Sequence, residues 1–200
     1  MLDLNNHFLI AMPSMVDEDF FRSVLFVFDH GVAGAAALVI NQTDDTTLKH
    51  LFDRMDLPLR REDLHSTPVF QGGPLFTERG FVLHEAQQTF AHGSEGFQPT
   101  PSSFWASTLT VPGGLEMTTS RDLLEALSCG AGPRKIFLAL GYAAWNAGQL
   151  EQEIMHNDWL TVPAHHDIIF DTPPADRYKA ALSLLGIDEM MLATDGGSLQ

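Results

Sequence analysis

The chain has 200 residues and is 44% hydrophobic, with 14 phenylalanines, so it carries ample apolar side chain for one domain core and too much for an intrinsically disordered polymer. Eleven basic against 26 acidic residues leave a formal charge of −15, a field that repels nucleic-acid phosphates and anionic lipid headgroups. The single cysteine, Cys129, excludes an intramolecular disulfide scaffold and fits a reducing compartment.

The first third alternates short apolar runs with polar punctuation. Residues 8–12, 24–28 and 35–40 are runs bounded by Pro, Asp-His-Gly or Asn, which reads as buried strands. Between the first two, Asp17-Glu18-Asp19 before Phe20-Phe21 suggests one turn of helix with acids at its positive end. Asp29-His30-Gly31 reads as the turn of an antiparallel hairpin. Residues 46–55 then change period: Leu48, Leu51, Phe52 and Met55 share one helical face, with Asp44 or Asp45 as a cap and Pro58 as a stop. Val69-Phe70 leads into Gln71-Gly72-Gly73-Pro74, residues 79–83 return as a strand, and residues 92–103 are rich in Gly, Ser, Pro and Thr, as a mobile insertion would be.

In the second half, Thr119-Ser120-Arg121-Asp122 carries a helix-start signal and Gly130 the stop. Residues 135–141 read as a strand, 144–156 as a helix, and 159–162 and 168–170 as short strands. Thr172-Pro173-Pro174 opens a last helix with Tyr178, Ala181, Leu182 and Leu185 on one face. Strands and helices interleave without regular βαβ alternation, so the expected fold is α+β: a compact, mixed, largely antiparallel sheet with flanking helices, forming one domain over 1–192 and a flexible tail over 193–200. The start does not read as a secretory leader, and no apolar stretch approaches the roughly 20 residues of a membrane span, so a cytoplasmic location is expected.

Standard catalytic spellings are missing. His92-Gly93-Ser94-Glu95-Gly96 is not a nucleophile elbow, His84-Glu85 is not followed by the second histidine of a zinc helix, and Gly130–Lys135 has the helix-then-strand order that a phosphate loop reverses. The nine histidines are dispersed; His165 and His166 are adjacent and would point to opposite sides of a strand, so neither a metal nor any other cofactor is called for. Cys129, at the end of an apolar helix, reads as a small buried residue. Two segments stand out: Gly72-Gly73-Pro74, where backbone can approach closely, and residues 140–154, a glycine- and aromatic-rich junction whose Ala147, Leu150 and Ile154 would face the core while Gln149, Glu151 and Gln152 turn outward.

These segments belong to a wider pattern: Phe8-Leu9-Ile10-Ala11-Met12-Pro13 with Met15, Asp17 and Phe20, Leu38-Val39-Ile40-Asn41, Gly72-Gly73-Pro74, Arg79-Gly80-Phe81-Val82-Leu83-His84, Thr118-Thr119-Ser120 with Asp122, Leu140-Gly141-Tyr142 through Glu151, and Trp159-Leu160. With these blocks in this order, the chain resembles the YqgE/AlgH family of bacterial proteins, departing from it at Ala144 and at Ala35-Ala36-Ala37, where the family usually carries glycine. The resemblance implies an α+β fold, a cytosolic location and, through the AlgH name, a link to transcriptional regulation; it supplies no catalytic residue, substrate or cofactor. Two functional readings remain open. One is a regulatory or binding module that takes a protein partner or small ligand in a groove built by Asn41, Gly72, Gly73, Pro74, His84, Gly141, Tyr142, Trp145, Gln149 and Glu151; the acidic balance disfavours direct DNA contact. The other is a hydrolase-like or nucleotide-handling enzyme with Glu151 as acid or base and Asn41, His84 or Gln149 as helpers.

Overall fold

A computed structural model describes residues 2–15, 17–86 and 105–194. The expected insertion at 92–103 lies outside these residues, as does the tail beyond Thr194. The fold is α+β. Ten strands form one curled sheet in the order β10-β1-β2-β3-β9-β6-β8-β7, with β4 and β5 branching from it. The strands are β1 (His7–Ala11), β2 (Val24–Gly31), β3 (Gly34–Val39), β4 (Thr43–Thr47), β5 (Pro68–Gln71), β6 (Leu75–Glu85), β7 (Thr108–Val111), β8 (Leu115–Thr118), β9 (Ile136–Asn146) and β10 (Trp159–Pro163). Every pairing is antiparallel except that of β5 with β9.

The unbroken apolar runs are explained by burial on both faces of the sheet. Alternate residues of β1, β2 and β3 divide between two cores: Phe8, Ile10, Val24, Phe26 and Leu38 on one face, Leu9, Ala11, Leu25, Val27 and Ala37 on the other. The first face is covered by α4 (His166–Phe170) and α5 (Arg177–Leu184), the second by α3 (Gln149–Met155) and the Phe20 turn. A third cluster lies under α1 (Leu48–Arg54) and α2 (Arg121–Ser128), which bury Leu48, Phe52, Leu123 and Leu127 against Val82 and Leu138. Glu189–Thr194 forms a terminal helix, α6, so helical structure extends two residues into the expected tail.

Several local expectations need correction. The helix expected over 144–156 begins only at Gln149, because β9 continues through Asn146 to pair Trp145 with Ala35 and Asn146 with Gly34; Ala147 is exposed rather than part of a core face. Residues 168–170 are helical, and His165 and His166 sit at the start of α4 rather than on a strand. The cap of α1 is Thr47, whose side chain accepts from the His50 amide, since Asp44 and Asp45 are held in β4. The β2–β3 hairpin turns one step later than expected, because His30 pairs with Ala35 and Gly31 with Gly34. Residues 17–23 form two hydrogen-bonded turns (Phe20 N–H to Asp17, Ser23 N–H to Phe20) without a helix. Cys129 is exposed: it caps the C-terminus of α2 instead of packing beneath it.

Ser120 and Asp122 start α2 as a linked pair. Asp122 accepts from the amides of Ala106 (2.8 Å) and Leu123 (2.9 Å) and from the Ser120 hydroxyl, and the Ser120 bond, followed by the Ala106 bond, holds its carboxyl below the ordinary carboxylate range. A depressed acid stabilises the fold while it is ionised and loses that contribution as pH falls through its folded value. Asp122→Asn is therefore expected to lower stability by about 1 kcal/mol at pH 7, with the gap to the parent closing in urea titrations below about pH 3; an equal gap at pH 7 and pH 2.5 would contradict this account.

Candidate functional site

The sheet forks at β9. Gly34–Ala37 of β3 pair with Asn146–Ala143, after which β3 and β9 separate and the chain after β5 fills the wedge between them. The Gly72 amide donates to the Leu140 carbonyl at 2.8 Å, while its own carbonyl accepts from Val39 N–H at 2.8 Å. One residue thus bridges both arms. A Cβ on Gly72 would come within 3.0 Å of the Gly141 carbonyl, and one on Gly73 within 3.0 Å of the Tyr142–Ala143 peptide. Gly141 has φ +75° and a Cβ there would meet the carbonyls of Gly73 and Leu75. The three glycines serve a crossing of backbones.

Two clefts flank this crossing and share Pro74 as a wall. One, of about 420 Å³, is lined by Glu18, Asp19, Gln42, Asp44, Gln71 and Gly73. The other, of about 390 Å³, is lined by Asp17, Phe20, Trp145, Gln149, Glu153 and Trp159, with Leu75, Ala144 and Asp158 at its margin. Both lie in the volume range of ligand sites.

The second cleft rests on a polar clasp. Glu153 Oε2 accepts from Trp145 Nε1 and from Trp159 Nε1, each at 2.8 Å, and its Oε1 accepts from Gln149 Nε2 at 3.0 Å. Gln149 Oε1 in turn accepts from the Asn146 amide at 3.1 Å, closing the strand-to-helix junction. Phe20 stacks on Trp145 and meets Trp159 edge-on. Trp145 therefore joins β9 to α3 from the strand. Glu153→Leu is expected to leave two indole N–H groups without an acceptor and to lower stability by about 2–3 kcal/mol, Glu153→Gln by clearly less. Urea titration ranks the two; equal losses would mean that the acceptor is immaterial.

Of the candidate residues, Gly73, Pro74, Trp145 and Gln149 line the clefts, and Gly72 and Gly141 build the crossing between them. Asn41 is used as a stitch: its Oδ1 accepts from Val24 N–H at 2.7 Å and its Nδ2 donates to the Arg22 carbonyl at 2.9 Å. Tyr142 points to the opposite face of β9, packed among Phe28, Phe76 and Phe81. Glu151 bonds His30 rather than His84: His30 Nδ1 accepts from the Leu4 amide, which leaves Nε2–H to donate to Glu151 Oε1 at 3.2 Å. His84 is fully buried on β6 opposite Ile136, at the other end of β9, with its ring nitrogens on the Glu85 carbonyl and the Thr118 hydroxyl. Glu151 and His84 do not meet, so of the three helpers named for Glu151 the structure sets His84 apart from it. Asp17, Phe20 and Trp159 belong to the motif blocks but were not assigned to the groove, and Glu153 and Asp158 lie outside those blocks, because their meeting depends on β1 pairing with β10 and on where the Phe20 turn folds back.

Among the described residues, no group of three or more His, Cys, Asp or Glu could hold a metal ion, and no helix is long and apolar enough to cross a membrane.

The model of the AlgH-like family (DUF179) matches residues 8–190. The chain belongs to the AlgH-like family. Relatives carrying the name UPF0301 protein, from Polaromonas sp. and Albidiferax ferrireducens, are each 56% identical over 197 residues, spanning 98% of this chain and 96% of theirs. Among solved structures, the solution structure of the AlgH protein from Pseudomonas aeruginosa is 39% identical, with a TM-score of 0.73 over 98% of this chain and 96% of that one. The crystal structure of protein DIP2367 from Corynebacterium diphtheriae shares the fold at 22% identity, with a TM-score of 0.65 over 91% of this chain and 87% of its own. The family match thus spans nearly all of the chain.

Proposed function

We propose that this AlgH-like chain is a binding module that acts through a protein partner or small ligand held in the two clefts flanking Pro74. The observation that carries this reading is the second cleft itself: a concavity lined by Trp145, Trp159 and Phe20 beside a backbone crossing whose close approach three glycines permit. Aromatic walls with a few placed polar groups are the composition of recognition sites. If the chain takes part in regulation, as the AlgH resemblance implies, a charge of −15 favours action through a partner over contact with DNA.

Ala144 supplies the test, since it is exposed and lines the second cleft without entering the core. A thermal-shift screen against nucleotides, metabolites and short peptides is run on the parent and on Ala144→Arg, which plugs the cleft. A ligand that binds only the native state raises its melting temperature. The reading expects stabilisation of the parent that Ala144→Arg abolishes; hits that stabilise both proteins equally would place binding elsewhere and overturn it.

A further inference from the structure

The two clefts have the same electrostatic character. Asp17, Glu18, Asp19, Asp44, Glu153 and Asp158 line them, and among the described residues no lysine, arginine or histidine does. Five carboxylates elsewhere carry a basic partner, with Arg22 on Glu189, Lys49 on Asp53, Arg61 on Asp63, Arg121 on Glu125 and Lys135 on Asp171. None of the six cleft carboxylates takes part in such a pair. Phe20 and the two indoles line the second cleft with them, and exposed Leu75 stands on its margin, with Phe76 next along the strand. Carboxylates without a basic partner that share a cleft with aromatic rings attract a cation through both charge and ring quadrupole.

Resting on the binding reading above, we propose that the occupant is a basic segment of a partner protein: an extended stretch that crosses Pro74 and places an arginine or lysine side chain in each cleft. Two clefts on either side of one proline call for two cationic groups on a common backbone, which a peptide supplies and a single small amine does not. A second copy of the chain is the poorer occupant, since it would bring another −15 against the same carboxylates. Exposed Leu75, on the margin of the second cleft, provides apolar contact that a peptide backbone and its neighbouring side chains would cover.

Isothermal titration calorimetry with the full chain tests this using three capped pentapeptides of sequence Gly-X-Gly-X-Gly, in which X is arginine, citrulline or glutamate. Citrulline keeps the shape of arginine and removes the charge. The expected result is saturable binding of the arginine peptide, roughly tenfold tighter than citrulline and weakened by added salt. Asp17→Asn with Asp158→Asn, and separately Asp19→Asn with Asp44→Asn, should each lower its affinity about fivefold or more, and Ala144→Arg should abolish it. Citrulline or glutamate binding as tightly as arginine, with sensitivity to Ala144→Arg retained, would overturn the cationic occupant while leaving the clefts as the site. Arginine binding that is indifferent to Ala144→Arg would overturn both. Absence of binding by all three peptides at about millimolar concentration would also overturn the basic segment, while thermal-shift hits lost in Ala144→Arg would still uphold the binding reading.

Discussion

Gly141→Ala and Gly72→Ala are each expected to lower the unfolding free energy by about 3 kcal/mol or more. For a chain of this length that is a fall in melting temperature of about 6–12 °C. The reason is geometric. At both positions an added Cβ would come within 3.0 Å of main-chain atoms on the neighbouring strand, where no flexible side-chain end can swing away. Gly141 adds a φ of +75°, in the left-handed region that a residue with a Cβ rarely enters. Relieving either clash means separating β9 from the Gly72–Leu75 segment, which carries the Gly72 bridge between Val39 and Leu140. Gly80→Ala is the control: nothing lies within 4 Å of its Cβ position, and its stability should stay within about 0.5 kcal/mol of the parent. Urea titrations followed by circular dichroism measure all three. A Gly72→Ala protein as stable as Gly80→Ala would show that the crossing tolerates a methyl group and would remove the structural account of the Gly-Gly-Pro block.

The second large effect is expected at Arg177. Its side chain is 5% exposed, yet no carboxylate pairs with it among the described residues. The guanidinium lies 4.7 Å from the centre of the Phe70 ring and 5.7 Å from that of Phe137, and donates to the Thr172 carbonyl at 2.8 Å and to the Ile40 carbonyl. Arg177 thereby ties α5 to the end of β3, just before the chain enters the first cleft. Burial pulls its pKa down to about 10, so it remains charged at neutral pH. For a base with a depressed folded pKa, the penalty is in full force below that value and is relieved only as pH rises above 10. Between pH 6 and 9 the contribution should therefore be constant.

Two opposed terms decide the size of the effect. Removing the guanidinium relieves a buried charge, but leaves two carbonyls without donors and, in Arg177→Ala, a cavity over two phenylalanines. The unpaired carbonyls and the cavity dominate, so Arg177→Ala should lose about 4 kcal/mol. Arg177→Met should lose about half as much, because it refills the space above the rings and removes the desolvation penalty. Arg177→Lys keeps a charge without the planar fork that spans two carbonyls, and should not restore parental stability. Chemical denaturation at pH 7 provides the ranking. An Arg177→Ala protein within about 1 kcal/mol of the parent would mean that the clasp contributes little and that β3 is held by its ladder alone.

Legibility from sequence divides along a physical line. Strands β1, β2 and β3 could be read because burial on both faces turns them into unbroken apolar runs, and α5 because Tyr178, Ala181 and Leu182 keep helical spacing. Local chemistry also sufficed for the start of α2, where Ser120 stands at the N-cap. The junction after Gly141 could not be divided correctly. Ala143, Ala144 and Trp145 are compatible with either state, and what holds them in β9 is the ladder to Ala35–Ala37, residues more than a hundred positions away. The same holds for Ile168–Phe170: β-branched residues suited to a strand are helical because Ile168 and Ile169 face the core beneath α4. Strands β7 and β8 have no strong alternation to announce them; Glu116 and Thr118 are buried on the face opposite Leu115 and Met117. Gly72-Gly73-Pro74 and the segment from Leu140 are both legible as unusual, but that they cross each other is not. Glu153 drew no notice among the glutamates of α3, although it alone gathers both indole N–H groups.

The sequence by itself determined that this is an acidic α+β chain of the AlgH-like family with a glycine-rich block at 72–74, since charge, apolar periodicity and the ordered motif blocks are properties of the chain alone. Only the tertiary structure decided why those glycines are there and what stands beside them. Close backbone crossing, the fork between β3 and β9, and the convergence of Phe20, Trp145, Glu153 and Trp159 all depend on pairings between segments far apart in the chain, and such pairings leave no periodic trace in either segment taken separately.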